Sequence, residues 1–332
     1  MSGPTKKVRS WPKSAPTSLE ELRAGGKPAL ARLLSAIESY EGHPQLISLL
    51  DEALQNPMAH VVALTGPPGV GKSTLTNAMI SEYRSADKSV GVIAVDPSSQ
   101  VTGGSLLGDR TRLSTDPEDQ KIFVRSMAAR DRLGGLSEHA IAAVILMRAV
   151  MDRVIVESVG IGQSEADVAL VADSCVLCIQ PGSGDSLQFM KAGIMELPDI
   201  ICVTKADMGD VAIRARADVE GAMSLSARRG DWKVPVLMLS ALDSTGLNDL
   251  VEACDQHVVA LSERGELVQQ RSEQVKAWLV DQLKVQFGQH GVAMLQASGV
   301  RWEEAVKRPF AFKQETSETF AAFWKGFSYS LV

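Results

Sequence analysis

The feature that most constrains this chain is a glycine-rich segment, GPPGVGKS at residues 66–73, which fits the pattern G-x-x-x-x-G-K-[ST] in full. A short apolar run at 61–64 precedes the segment, and a stretch with helical spacing at 72–84 follows it. A strand, a tight loop and a helix N-terminus in this order form a cradle of backbone N–H groups for polyphosphate. The sequence therefore predicts a phosphate-binding P-loop, and a chance glycine-rich turn is the weaker alternative.

Each residue type in the predicted P-loop has a chemical role. Glycines let the backbone fold closely around phosphate, the Lys72 ammonium reaches the β- and γ-phosphates, and the Ser73 hydroxyl ligates Mg²⁺. Lys72 is also a predicted catalytic residue, because its charge opposes the negative charge on the transferred group. The residues expected to contact nucleotide here are Gly66, Gly69, Val70, Gly71, Lys72, Ser73 and Thr74.

Beyond the P-loop, short apolar runs alternate with helix-length segments. The runs lie at 61–64, 90–95, 154–156, 174–179, 200–203 and 236–239, and the candidate helices at 72–84, 138–151, 163–171, 211–227 and 247–261. Such alternation is typical of crossover units, in which helices cover both faces of a parallel sheet. We therefore predict an α/β fold, a P-loop NTPase with a mostly parallel sheet flanked by helices.

Two acidic residues in the first half of the chain are candidate metal ligands. Asp96 ends the run at 90–95, so its carboxylate is expected at the sheet edge where ligands bind. Asp109 lies in the long polar loop that follows, where nucleotide-sensing switch loops are found. We assign both a role in Mg²⁺ binding and catalysis, with a turn or capping role for Asp96 and a solvated loop charge for Asp109 as the alternatives.

A third acid follows the run at 154–156. Glu157 and Gly160 have the spacing of the third GTPase motif, with Glu in place of Asp. The carboxylate is expected to hold Mg²⁺ through water, and the Gly160 N–H to meet the γ-phosphate. Gln163 and Glu165 are candidates for orienting the attacking water, or they are ordinary residues of an early helical turn.

Guanine specificity is predicted by Thr204-Lys205-Ala-Asp207, which matches [NT]-K-x-D after the run at 200–203. The Asp207 carboxylate accepts from guanine N1–H and the 2-amino group, whereas adenine leaves that charge unpaired at a cost of several kcal/mol. The sequence therefore favours GTP and GDP over ATP. Thr204 replaces the commoner Asn, so we expect its bond to neighbouring loops to be weakened or lost.

A fifth motif follows the run at 236–239. The residues are Ser240, Ala241 and Leu242, and the Ala241 N–H is expected to point at guanine O6. This short motif means little alone, but its order after the other four makes chance the weaker explanation.

Helical segments extend the predicted core at both ends. Apolar residues at helical spacing indicate helices at 18–39, 43–54, 263–287 and 315–327. The aromatic faces of the last two favour packing between subunits. We expect a disordered tail (1–16), an N-terminal helical extension (17–56), a GTPase domain (57–261) and a C-terminal helical dimerisation segment (262–332).

Composition argues against several partners. A formal net charge of −6 over 332 residues gives no electrostatic footprint for nucleic acid. No apolar run approaches the roughly 20 residues of a membrane-spanning helix, and the N-terminus lacks an apolar signal core. We expect a cytoplasmic protein without a membrane partner, whose basic start is a short tail or a targeting remnant.

Cysteine placement fits a reducing compartment. The four cysteines, Cys175, Cys178, Cys202 and Cys254, all lie in apolar runs. The spacing of Cys175 and Cys178 suits a redox or metal pair, but no second CxxC or nearby His accompanies it. Packing in the core is the favoured interpretation.

Several motifs together resemble a known group, the GTPases with Glu in the third motif (the G3E class), and within it the MeaB/ArgK/methylmalonic-aciduria-type-A family. The segments that carry the resemblance are GPPGVGKS (66–73), VDPSS (95–99), GGSLLGDRTRL (103–113), ESVGIGQSE (157–165), QPGSGDSLQFMKAGIMELPDI (180–200) and TKAD (204–207). The resemblance implies a homodimeric GTPase chaperone for methylmalonyl-CoA mutase, which controls adenosylcobalamin loading and protects the mutase. It further implies that the mutase holds the cobalamin and that 180–197 is another switch segment.

Two other functions stay open at this point. A metal-insertion GTPase of the same class needs metal ligands, yet the chain has no His-rich tract. A phosphotransferase needs an acceptor pocket and a base beside the γ-phosphate, and neither has a sequence signature here. No resident arginine finger is obvious, with Arg110 and Arg112 as candidates at most, so we expect slow intrinsic turnover that a partner accelerates.

Overall fold

The computed structural model describes residues 9–96, 113, 115–129, 136–158, 167–182, 197–225 and 231–328, without the side chains of 96, 225 and 324–328. The chain divides into two compact units. One is Met58–Arg271, and the other comprises Met1–Pro57 with Ser272–Val332. All five predicted nucleotide motifs fall within Met58–Arg271.

A parallel sheet forms the centre of the Met58–Arg271 unit. In the described residues its seven strands are β1 (His60–Thr65), β2 (Val90–Asp96), β3 (Ile122–Ala128), β4 (Arg153–Glu157), β5 (Ser174–Ile179), β6 (Ile200–Val203) and β7 (Val236–Met238). Their order is β3-β2-β4-β1-β5-β6-β7, and every neighbouring pair is parallel. All strands therefore end at one edge, with β1 in the middle.

Helices of the same unit, named α3 to α6 below, cover both faces of this sheet. The described helices are α1 (Leu19–Ser39), α2 (Pro44–Gln55), α3 (Lys72–Ser85), α4 (Glu138–Val150), α5 (Asp210–Leu225), α6 (Leu247–Glu263), α7 (Glu266–Ala297), α8 (Trp302–Ala305) and α9 (Pro309–Ser328). Side chains of α3 and α6 share one core cluster with Val62 and Leu64 of β1. On the other face of the sheet, α4 approaches β2 closely. A Cβ at Gly91 of β2 would lie 2.9 Å from Sδ of Met147 of α4. The strands are apolar throughout because burial on both faces leaves no position for a solvated side chain.

The predicted α/β fold with helical extensions is confirmed. All six predicted strands are present, and β3 is an additional strand that the sequence pattern did not indicate. β3 lies at the edge of the sheet, and its Arg125 and Ser126 are only partly buried, which interrupts the apolar run that marks the central strands. Of the predicted helix at 163–171, the described part contains a 3₁₀ turn at Val168–Leu170.

The cysteines lie in the core as predicted. All four are buried and free of disulfides, and Cys175 and Cys178 belong to β5. Burial raises the pKa of the Cys178 thiol to about 12, so it stays protonated at neutral pH.

In the second unit, a carboxylate of α2 caps the N-terminus of α9. The Asp51 carboxylate accepts from the backbone N–H groups of Phe310 and Ala311, both at 3.1 Å. Burial raises the pKa of Asp51 to about 6, and these two hydrogen bonds oppose that rise. Trp278 of α7 packs on Phe310 at 5.0 Å between ring centroids, so the capped helix end is also fixed by aromatic contact.

The ends of this unit differ in detail from the expected pattern. Trp11, in the segment predicted as a disordered tail, packs its ring against Tyr40 and His43, while residues 1–8 lie outside the described part of the chain. The predicted helix at 263–287 extends to Ala297 after a break at Gly288, whose φ is +71°. None of the described helices is long and apolar enough to cross a membrane.

Candidate active site

The predicted nucleotide motifs converge at the carboxyl edge of the sheet. The P-loop follows β1, Glu157 ends β4, Thr204 follows β6, and Ser240 follows β7 closely. Parallel strands bring these chain ends to one edge, and the order of the strands sets β1 between β4 and β5. Such a point, where neighbouring connections leave in opposite directions, is where open α/β sheets bind ligands.

Backbone geometry explains the glycines of the loop. Gly66 has φ +134°, and a Cβ at this position would lie 2.3 Å from the carbonyl oxygen of Cys178. Gly71 has φ +101° and forms the N-cap of α3, without a side-chain hydrogen bond to the helix. The loop therefore reaches its shape only with glycine at 66, and the first-turn N–H groups of α3 keep their capacity to bind an anion.

Lys72 lies at the first position of α3, and its side chain turns back into the loop. The residue is only 6% exposed. Its Nζ donates to the carbonyl oxygens of Gly66 at 2.7 Å and Pro67 at 3.1 Å. A buried ammonium that is held by backbone carbonyls beside a helix N-terminus makes this loop strongly electropositive.

Glu157 joins β4 to α3 through two hydroxyl groups. Its Oε1 accepts from Ser73 Oγ at 2.7 Å, and its Oε2 accepts from Thr76 Oγ1 at 3.0 Å. The glutamate is 5% exposed, so these bonds offset much of the cost of burying its charge. The structure thus brings two predicted metal ligands, Ser73 and Glu157, into direct contact.

Thr76 is a site residue that sequence reasoning missed. It lies three residues after Ser73, so both hydroxyls emerge from the same face of α3. That spacing was the available signal, but the P-loop pattern ends at Ser73 and directs attention away from it.

Thr204 ties the predicted base site to the P-loop. Its Oγ1 donates to the carbonyl oxygen of Val70 at 2.8 Å, with that of Ile179 at 3.2 Å. We expected the bond to be weakened or lost with Thr in place of Asn, and its loss is excluded because the hydroxyl bonds the P-loop. The hydroxyl is short, but the threonine is buried to 3% exposure and the two loops approach closely enough for it to reach.

The residues after Thr204 differ sharply in their surroundings. Lys205 adopts a left-handed backbone with φ +55°, and its Nζ donates to Gln180 Oε1 at 2.7 Å and to the Gly69 carbonyl at 3.3 Å. Asp207 is exposed, in a 3₁₀ turn at Ala206–Met208. Lys205 therefore joins three loops, while the Asp207 carboxylate faces solvent.

The fifth motif lies beside the turn at Ala206–Met208, because Leu239, which links β7 to the motif, is hydrogen-bonded to that turn. The Ala206 N–H donates to the Leu239 carbonyl at 3.0 Å, and the Ser240 N–H donates to Thr245 at 3.0 Å. Ser240 is buried, Ala241 is partly buried, and Leu242 is 82% exposed. The segment thus lies beside the Lys205 turn, with its apolar tip in solvent.

Five of the predicted site residues lie outside the described part of the chain in whole or in part: Asp96 for its side chain, and Asp109, Gly160, Gln163 and Glu165 entirely. Asp96 ends β2, and its backbone pairs with Ala128 of β3. Their assigned roles stay predictions.

Comparison with known proteins gives the same nucleotide chemistry. The family model described as "Methylmalonyl Co-A mutase-associated GTPase MeaB" matches residues 30–294. GTPase ArgK of Escherichia coli is 38% identical over 283 residues, covering 82% of this chain and 85% of the relative. The methylmalonic aciduria type A homolog of Caenorhabditis elegans, described as mitochondrial, is 34% identical over 284 residues, covering 80% and 71%.

A solved structure, that of a LAO/AO transport system kinase, superposes with a TM-score of 0.65 at 26% identity and covers 92% of this chain and 96% of its own. The family model spans most of this chain, and two named relatives exceed 30% identity over more than two thirds of its length. The chain therefore belongs to the family of methylmalonyl-CoA mutase-associated GTPases, and it is a GTP-hydrolysing enzyme.

Proposed function

We propose that this protein binds Mg²⁺·GTP at the carboxyl edge of its sheet and hydrolyses it slowly, to gate adenosylcobalamin loading into methylmalonyl-CoA mutase and to protect that enzyme. The observation that carries the nucleotide part is the cluster of Lys72, Ser73 and Glu157 around the N-terminus of α3, with Ser73 Oγ 2.7 Å from Glu157 Oε1. The client follows from the family's description and from the relative named for methylmalonic aciduria.

The donor set near the P-loop suits a hard cation. Ser73 and Glu157 offer hydroxyl and carboxylate oxygens, the ligands that Mg²⁺ prefers, at the point where a P-loop holds its β- and γ-phosphates. In our assignment Asp96 and Asp109 complete the set. When bound, Mg²⁺ stabilises negative charge on the phosphate oxygens.

The chain's own groups have separate tasks during hydrolysis. Lys72 and the first-turn N–H groups of α3 stabilise charge on the β- and γ-phosphates. Gln163 orients the attacking water, and the Gly160 N–H contacts the γ-phosphate and reports its loss. Turnover by the protein alone is slow because the sequence contains no obvious resident arginine finger, and the client accelerates it.

Guanine selectivity comes from Asp207. Its exposed carboxylate is available to accept two hydrogen bonds from the guanine edge, and Thr204 and Lys205 fix the turn that carries it. The Ala241 N–H meets guanine O6. GTP and GDP bind in preference to ATP because adenine lacks both donors.

The client interaction needs features outside the nucleotide site. We assign dimer formation to the C-terminal helices, where Val285, Met294 and Phe323 are 68%, 43% and 52% exposed. Cobalamin is held by the mutase and not by this chain.

The test is GTP hydrolysis by the purified protein, with ATP as control, in the absence and presence of methylmalonyl-CoA mutase. We expect turnover of GTP alone, a dependence on Mg²⁺, and a higher rate with the mutase. Asp207→Asn serves as the matched variant, because it should shift preference from GTP to XTP without affecting folding. If GTP is hydrolysed while the mutase changes neither the rate nor its own cofactor loading, the client assignment fails and the GTPase assignment stands.

A further inference from the structure

We propose that Gln180 is a positioning residue for guanine binding, which fixes Lys205 over the P-loop and couples the base site to the turn at 181–182. This inference rests on the base site proposed above. Residue 180 lies outside both the G-x-x-x-x-G-K-[ST] pattern and the [NT]-K-x-D pattern. We therefore assign its role from its contacts in the structure.

The central contact is short and involves a charge. Lys205 Nζ donates to Gln180 Oε1 at 2.7 Å, while its bond to the Gly69 carbonyl is longer, at 3.3 Å. A hydrogen bond from an ammonium to a neutral amide is stronger than one between two neutral groups. Gln180 is therefore the tighter of these two anchors for the Lys205 ammonium.

Lys205 needs anchors because its backbone is in an unfavourable conformation. Its φ of +55° and ψ of +45° lie in the left-handed region, which a side chain other than glycine seldom adopts. The backbone is fixed from one side, where the Met208 N–H donates to the Lys205 carbonyl at 3.0 Å. The side-chain bonds to Gln180 and Gly69 fix Lys205 from the other side. Asp207 lies in the 3₁₀ turn that follows Lys205, so these bonds help to fix its position.

Gln180 is also linked to the base segment through its backbone, because the preceding residue, Ile179, is hydrogen-bonded to Thr204. The Thr204 N–H donates to the Ile179 carbonyl at 2.9 Å, continuing the pairing of β5 with β6. Thr204 Oγ1 bonds Val70 in the P-loop. Residues 179–180, 204–205 and 69–70 thus form one bonded junction of three loops.

The chain after Gln180 returns to the base segment at its far end. Gly182 has φ +74°, and a Cβ at this position would lie 3.5 Å from Cγ1 of Val211. Val211 is in the first turn of α5, which begins at Asp210, three residues after Asp207. The segment 180–182 therefore approaches the base segment at two points, Lys205 and Val211, which stand before and after Asp207, and we expect a change in one segment to alter the stability of the other.

The experiment compares Gln180→Leu and Gln180→Glu with the wild-type protein, using the dissociation constant of GDP and the kcat and KM of GTP hydrolysis. Gln180→Leu removes the acceptor and should weaken GDP binding about tenfold, the effect of one charge-assisted bond. We expect KM to rise by a similar factor, with kcat within about twofold because Lys205 belongs to the proposed base segment and is not bonded to Lys72, Ser73 or Glu157 in the hydrogen bonds described above. Gln180→Glu keeps an acceptor for the ammonium and should restore GDP affinity.

Two controls separate this inference from simpler explanations. Gln256→Leu removes an exposed glutamine of α6 that bonds Glu252, and it should leave GDP affinity unchanged. Thermal melting of the nucleotide-free Gln180 variants should match the wild type, since a purely structural role would lower it.

The possible outcomes are distinct. Unchanged GDP affinity in Gln180→Leu, while Asp207→Asn loses GDP, overturns the role of Gln180 and leaves the base site intact. If Asp207→Asn also binds GDP normally, the proposed base site itself is wrong. Equal losses in Gln180→Leu and Gln180→Glu would also overturn the proposal, because the acceptor would then not be the property that matters.

Discussion

The central sheet has an amino edge, where its parallel strands begin, and a carboxyl edge, where they end. These two edges carry different kinds of buried polar groups. At the carboxyl edge, two charged groups are held separately: Lys72 by backbone carbonyls of the P-loop, and Glu157 by two hydroxyls of α3. At the amino edge, the polar side chains bond mainly to one another: Ser174 Oγ lies 2.9 Å from His60 Nε2 and 2.8 Å from His257 Nδ1. The same strands thus begin in a closed polar cluster and end in one built to receive a ligand.

Charge pairing at the amino edge supports this distinction. Asp173 is fully buried, and its two carboxylate oxygens accept from Arg271 Nε and Nη2, each at 2.8 Å. Burial alone would raise the pKa of Asp173, but the charges of Arg148 and Arg271 hold it below its ordinary value. The carboxylate also accepts from the Val61 N–H at 2.9 Å, at the start of β1. These groups fix the beginning of the strand that leads to the P-loop.

The difference teaches that buried polarity alone does not mark a functional site. Both edges contain buried ionisable residues. Within the described ranges, only the carboxyl edge combines them with a glycine-rich loop and with a helix N-terminus that has no side-chain cap. Substitutions at the carboxyl edge should therefore reduce nucleotide chemistry, and substitutions at the amino edge should reduce stability.

The largest effect is expected for Lys72→Ala. Loss of the ammonium removes charge stabilisation from the phosphates, and GTP hydrolysis should fall about a thousandfold. The melting temperature should change little, because the hydrogen bonds of the ammonium to Gly66 and Pro67 end on loop carbonyls that solvent can replace. Lys88→Ala, an exposed lysine of the same unit, is the matched control and should hydrolyse GTP normally. Wild-type turnover in Lys72→Ala would disprove the phosphate-site assignment.

Asp173→Asn tests the opposite edge. Removing one charge of a buried pair leaves Arg271 and Arg148 without their counter-charge, which should lower the free energy of unfolding by about 3 kcal/mol. GTP hydrolysis per folded molecule should stay near wild type. The measurement is urea unfolding followed by tryptophan fluorescence, with the exposed Asp218→Asn as control. A catalytic loss without destabilisation would contradict the division of roles between the edges.

Sequence alone was sufficient for the core of the fold but not for its contacts. The central strands could be predicted because burial on both faces requires continuous apolar runs, as in β1 and β5. The edge strand β3 could not, since partial exposure admits Arg125 and Ser126. Spacing identified Ser73 and Glu157, whereas their direct bond depends on which strands are neighbours.

Contacts between residues that lie far apart in the sequence could not be predicted either. Gln180 bonds Lys205 across 25 positions, and Ser174 bonds His60 across 114. No motif or periodicity encodes such pairs, because they follow from the order β4-β1-β5-β6 and not from local spacing. The amino-edge cluster was missed for this reason.

Thr204→Val is expected to have a moderate effect at the carboxyl edge. Valine matches the shape of threonine but removes the donor to the Val70 carbonyl, a bond worth about 1 kcal/mol. GDP affinity should fall about fivefold. Thr204→Ser, which keeps the hydroxyl, should stay close to wild type in a titration with a fluorescent GDP analogue. If valine and serine bind GDP equally well, the bond between the base segment and the P-loop does not contribute to affinity.

The smallest effect at neutral pH, and a growing one in acid, is expected for His257→Gln. Burial lowers the pKa of His257 to about 4, and the nearby charges of His60 and Arg264 act in the same direction. Its ring packs against Trp232 at 4.8 Å, and its Nε2 lies 3.5 Å from Asp199 Oδ1. In the unfolded chain a histidine has an ordinary pKa of about 6.5. Between these two values the unfolded state binds more protons than the folded state.

The sign of the pH dependence follows directly. The contribution of His257 is fully present above pH about 6.5 and is lost as the pH falls toward about 4, with a slope of at most about 1.4 kcal/mol per pH unit. His257→Gln should flatten the loss of stability over this window, measured by urea unfolding at pH 7, 6, 5 and 4.5, while the exposed His290→Gln should not. An identical pH profile in His257→Gln and the wild type would mean that this imidazole is free to take up a proton in the folded protein, and that the amino edge is less closed than its contacts indicate.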